Sequence, residues 1–120
     1  MMAPLSRYTR RAWLAGVMAV GLVGTAQAQQ VDINGIFRAE CRYPNGKAYV
    51  GSAIVSEANG TARISWAIDG QDYAGTGVRQ GQVVAVDWGQ PDPIVYVVMA
   101  NGSLHGTWAS GRALERLIRQ

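Results

Sequence analysis

From Val31 to Trp108 the apolar positions recur at every second residue, and no stretch shows a helical period. The clearest case is Ala62, Ile64, Trp66 and Ile68, which share one face of an extended chain while Arg63, Ser65 and Asp69 take the other. Turn signals punctuate the alternation at Asn45-Gly46, Asn59-Gly60, Asp69-Gly70, Gln80-Gly81, Pro91-Asp92-Pro93, Asn101-Gly102 and Ser110-Gly111. Asn-Gly and Asp-Gly pairs tolerate positive φ and so suit two-residue hairpins, and the spacing of the signals stays close to the ~8–12 residues of consecutive antiparallel strands. The pattern predicts strands over Gly35–Tyr43, Ala48–Glu57, Thr61–Asp69, Gln71–Arg79, Gln82–Trp88, Ile94–Ala100 and Leu104–Ala109.

The last segment, Ala113–Arg119, reads two ways. Leu114, Leu117 and Ile118 form a helical stripe, yet Glu115, Leu117 and Arg119 also alternate with Leu114, Arg116 and Ile118. Seven meandering strands would leave two open edges, which an eighth would close, and this favours a strand over a capping helix. A weak repeat points the same way. Tyr49 with Gly51, Tyr73 with Gly75 and Gly77, and Gly106 with Trp108 pair a bulky residue with an empty one two positions away, on the same side of a strand. Small barrels fill a tapering interior by such alternation, and glycine permits the bends that closure needs. The expected fold is all-β: a small up-and-down antiparallel barrel of about eight short strands.

Charge changes the picture only once the N-terminus is set apart. Arg7, Arg10 and Arg11 precede an uncharged stretch whose apolar run, Ala12 to Val23, ends near Ala26-Gln27-Ala28. That arrangement is a secretory signal peptide over residues 1–28, leaving 29–120 as one barrel domain. Thr9-Arg10-Arg11-Ala12-Trp13-Leu14 fits either a twin-arginine leader or an ordinary Sec leader with adjacent arginines, and both lead to a periplasmic or secreted protein. The whole chain carries a net charge of +3 from 11 basic and eight acidic residues, but three of the basic ones lie in the leader. The remainder is formally neutral, without the basic footprint that nucleic acid or an anionic membrane surface requires, and no membrane insertion is expected after cleavage.

Catalytic and metal chemistry find little material. A lone Cys41 and a lone His105 would have to supply nucleophile and base, and they could meet only if their strands were neighbours and faced the same side. Asp69 with Asp72, and Asp87 with Asp92, are turn aspartates, so neither a metal nor another cofactor is expected. Gly75-Thr76-Gly77 lies inside a strand and is no phosphate loop. An enzyme is therefore disfavoured. The informative set is aromatic: Trp66, Trp88 and Trp108 fall near strand ends, and Tyr49, Tyr73 and Tyr96 lie on the apolar faces of theirs. Rings of this size either fill a small barrel or line a ligand cavity at its mouth. Tight packing against Gly51, Gly75, Gly77 and Gly106 is the favoured expectation; a void of ~300 Å³ or more would instead suit a small apolar ligand.

The tyrosine-x-glycine repeats and the run Asn101 to Trp108 (Asn-Gly-x-Leu-x-Gly-x-Trp) resemble a group of small exported proteins of Gram-negative bacteria sometimes labelled fibronectin-binding-like. The resemblance covers about Gly35 to Leu117 and implies fold far more than activity; Cys41-Arg42-Tyr43 and Leu114-Glu115-Arg116-Leu117 depart from it. The functional expectation is an exported binding module that recognises a protein through its loops. One alternative is a periplasmic inhibitor of a lysozyme or protease, using Gln90, Pro91, Asp92 and Pro93, a loop that two prolines stiffen. The other is a carrier of a small apolar ligand in the barrel interior.

Overall fold

The structure, a computed structural model, describes residues 30–120; the leader expected over 1–28 and its arginines lie outside the described residues. Eight antiparallel strands follow one another: β1 (Gly35–Arg42), β2 (Ala48–Ala58), β3 (Thr61–Ile68), β4 (Gln71–Gln80), β5 (Val83–Asp87), β6 (Ile94–Val98), β7 (Leu104–Trp108) and β8 (Ala113–Arg119). Each pairs with the next and β8 returns to β1, so the sheet closes into an up-and-down barrel. The tail is a strand, pairing with β7 through Leu104 and Leu117 and with β1 through Cys41 and Glu115. Both edges of the sheet would otherwise present unpaired backbone to water, which outweighs the helical stripe of Leu114, Leu117 and Ile118. Leu114 accordingly points outward, 52% exposed, while Leu117 is fully buried.

Strand ends match the hydrophobic pattern to within two residues, because the turns are encoded locally. Asn59-Gly60 and Asp69-Gly70 hold both central residues at positive φ (55° and 81°; 52° and 75°), the turn whose twist suits a two-residue hairpin.

Inside, the strand glycines make room for the neighbouring strand's large side chains. A Cβ added at Gly106 would stand 2.6 Å from Tyr96 Cδ1 and 2.6 Å from the Val95 carbonyl oxygen. At Gly75 it would meet Val86 at 2.8 Å and the far edge of the Trp66 ring at 3.2 Å, and at Gly51 and Gly77 the obstacles are Ile68 and Val86. The barrel's middle is thus packed against its glycines.

The two ends differ. At the end bounded by the β2–β3, β4–β5 and β6–β7 turns, the segment before β1 folds inward and Ile33 is fully buried as a plug. Arg79, itself buried, holds this plug by donating to the Val31 carbonyl at 2.6 Å and to the Glu57 carboxylate at 2.9 Å. Arg119 donates to the carbonyls of Asn34 and Asp32, with its guanidinium 5.2 Å from the Phe37 ring centroid. Among the described residues none covers the opposite end in this way.

Gly106→Ala is expected to destabilise the barrel by ~1–3 kcal/mol, the usual cost of forcing a methyl group into a filled core. Thr107→Ala, on the outward face of the same strand, should stay within ~0.5 kcal/mol. Urea unfolding of both variants, compared at constant m-value, checks the pair.

Candidate functional site

The odd-numbered strands all run toward the open end, so residues at their C-terminal ends ring its mouth: Tyr43 after β1, Ile68 of β3, Trp88 after β5 and Trp108 of β7. Together with Tyr49, Trp66, Tyr73, Ile94 and Glu115 they line a pocket of about 140 Å³. This is close to the ~150 Å³ of a cavity that admits one benzene-sized molecule, and well short of the ~300 Å³ of a site for a larger ligand. The rings brace one another. Tyr43 and Tyr49 lie with centroids 4.3 Å apart, and Trp108 meets Tyr43 and Trp88 edge to face at 6.2 and 5.6 Å. The Trp108 indole N–H donates to the Tyr49 hydroxyl at 3.1 Å, and the Trp88 indole donates to the Asp92 carbonyl at 3.1 Å.

Five of the six aromatic residues singled out from the sequence (Tyr49, Trp66, Tyr73, Trp88 and Trp108) therefore share one opening. Tyr96 does not line it. Its partner across β7 is Gly106, whose missing side chain lets the ring lie fully buried in the barrel, its hydroxyl directed at Glu115. The loop residues Gln90, Pro91, Asp92 and Pro93 are exposed at the same rim. They do not project freely, because Asp92 also accepts a hydrogen bond from the Ser110 hydroxyl of the β7–β8 turn at 2.8 Å. Cys41 and His105 stand on non-adjacent strands, the thiol inside and the imidazole on the outward face between Leu104 and Gly106.

The residue the sequence reading missed is Glu115. It is buried at 3% exposure on β8, and three other strands direct donors at its carboxyl group. The Tyr96 hydroxyl and the Trp66 indole N–H, the latter at 3.1 Å, reach Oε2, and the Cys41 thiol lies 3.7 Å from Oε1. Burial pushes the Glu115 carboxyl above the usual carboxylate range, opposed by the donors from Tyr96, Trp66 and Cys41. Burial and the nearby carboxylate push the Cys41 thiol up to about 12, and the same two causes raise the Tyr49 and Tyr96 phenols. Among the described residues no group of three metal-ligating side chains exists. Period two did place Glu115 in phase with Leu117; the competing helical stripe obscured what that phase meant.

No family model and no curated protein matches the chain. Among solved structures it is similar to a redesigned β-barrel, with a TM-score of 0.56 at 15% identity over 73% of this chain and 91% of that one. At that identity the likeness shows the barrel fold alone.

Two measurements test the chemistry of the floor. A carboxyl whose folded pKa lies above its unfolded value favours the protonated native state, so stability should fall as pH rises from about 4.5 through the folded pKa. Urea melts across pH should show that falling component for the native chain and none for Glu115→Gln. The Cys41 thiol should resist iodoacetamide at pH 8 in the folded protein and react once unfolded in urea, as followed by mass spectrometry.

Proposed function

We propose that this protein is an exported binding module whose open end engages its partner by seating one compact group in the aromatic pocket. The observation that carries this reading is the asymmetry of the barrel: one end is plugged by Ile33, and the other offers braced rings around about 140 Å³. The middle is filled against Gly75 and Gly106, which argues against a carrier holding a sizeable apolar ligand inside. A pocket of this volume suits a terminal group of a larger molecule, with the surrounding turns contacting the rest. The loop from Gln90 to Pro93 belongs to that rim, and its tie to Ser110 keeps its shape before binding, lowering the ordering cost. The leader-like N-terminal sequence supports a periplasmic or extracellular setting.

The test is a titration with a panel of compact fragments, each about the size of benzene, followed by the assigned indole N–H signals of Trp66, Trp88 and Trp108 in 1H–15N spectra. Binders should shift these three signals and leave the amides around Ile33 and Arg79 unmoved. Trp88→Ala should weaken them by about tenfold or more, the loss of one well-packed aromatic contact. Shifts confined to the turns, with the indoles silent, would move recognition from the pocket to the loops.

A further inference from the structure

Among the described residues one carboxylate, Glu115, is buried and another, Glu57, is half-buried, and they are treated differently. Glu57 faces Arg79 in an ion pair of 2.9 Å at the plugged end. Glu115, beside the mouth, has only neutral neighbours: a phenol, an indole and a thiol. The ion pairs among the described residues join Arg38 and Arg116 to Glu40 and Arg79 to Glu57, and none includes Glu115. Buried carboxylates ordinarily face a cation, because removal from water is costly for an unpaired charge. The indole N–H of Trp66 is a donor and nothing else, so it takes up an accepting oxygen that the neutral and the ionised carboxyl both offer, and a cation brought to the mouth would favour the ionised form.

Resting on the binding reading above, we infer that the mouth receives an alkylated ammonium group, its positive charge facing Glu115 and its methyl groups against the aromatic rings. Three tryptophans and three tyrosines line the pocket, and the faces of such rings attract cations, tryptophan most strongly. The carboxyl oxygens already accept from Tyr96, Trp66 and Cys41, leaving little for a primary ammonium, which demands three acceptors of its own. A quaternary ammonium carries the same charge with no N–H to satisfy, and aromatic cages are a known way to hold one. Its methylated head is also compact enough for a pocket of about 140 Å³. At the mouth, Asp69 and Asp92 of the turns and Asp72 and Asp87 at the ends of β4 and β5 add to the field. Of the cations at this end, Arg42 is bonded to the Gly46 carbonyl and Arg112 to the Ala109 carbonyl, and Lys47 stands in the β1–β2 turn. A metal ion fits less well, since one carboxylate and one thiol fall short of a coordination shell.

The experiment titrates the intact protein with choline, with 3,3-dimethylbutan-1-ol, its uncharged carbon isostere, and with N-methylated and unmodified lysine, reading the three mouth indole signals. Choline or trimethyllysine should bind about tenfold or more tightly than the isostere and than plain lysine. A preference for trimethyllysine over choline would make a methylated polypeptide the source of the group, and the reverse a free small molecule; both outcomes uphold the ammonium. Glu115→Gln should remove the preference for choline over its isostere. Trp88→Leu, which keeps apolar bulk at a half-exposed position, should weaken choline more than the isostere and so covers the case in which Glu115→Gln fails to fold. Equal or tighter binding of the isostere would overturn the ammonium assignment while leaving the pocket a receptor for compact groups. Silence of all three indoles toward every probe would overturn both.

Discussion

The barrel is organised around the carboxyl group of Glu115. A closed sheet of eight short strands has an interior that only side chains can fill, and here one of them is an acid. Three side chains from three other strands donate to it: Tyr96 from β6, Trp66 from β3 and Cys41 from β1. These donors fix the rotation of the rings that would otherwise be held only by nondirectional apolar contact. The packing below depends on the same arrangement, since Tyr96 reaches Glu115 by lying across the space left by Gly106. No buried side-chain nitrogen or oxygen among the described residues lacks a partner, so the network is satisfied throughout.

The fold was largely legible because its determinants are local. Asn59-Gly60 and Asp69-Gly70 prescribe their hairpins, and the alternation in Thr61–Ile68 assigns each side chain to its face without knowledge of the partner strand. Glycine positions were readable as room for bulk, although the bulk comes from the adjacent strand and not from the same one: Gly106 serves Tyr96, and Gly75 serves Val86 and Trp66. The expectation of a tightly filled middle is met by those contacts, while the aromatic mouth is smaller than a carrier would need.

The site was only half legible. Aromatic residues near strand ends announce themselves by size, and the odd-strand rule gathers Trp88, Trp108 and Tyr43 at one end once the meander is accepted. Tyr96 could not be told from the mouth tyrosines, because depth in the barrel depends on stagger between strands, which no single strand encodes. Glu115 was hidden for a different reason. A charged letter in an amphipathic heptapeptide is read as solvent-facing by default, and its phase with the buried Leu117 was masked by the helical stripe of Leu114, Leu117 and Ile118.

Arg119 has a consequence for the order of events in folding. The last residue of β8, it clasps the carbonyls of Asp32 and Asn34, so the two ends of the barrel meet at its plugged base. Hairpins β1–β2 to β7–β8 can form from neighbouring segments in any order, but the seam between β1 and β8 spans nearly the whole domain. Closure of that seam carries the largest loop-entropy cost and awaits the last strand. A chain lacking β8 therefore has neither the seam, nor the Arg119 clasp, nor Glu115, so closure of the barrel and completion of the aromatic pocket depend on the same strand.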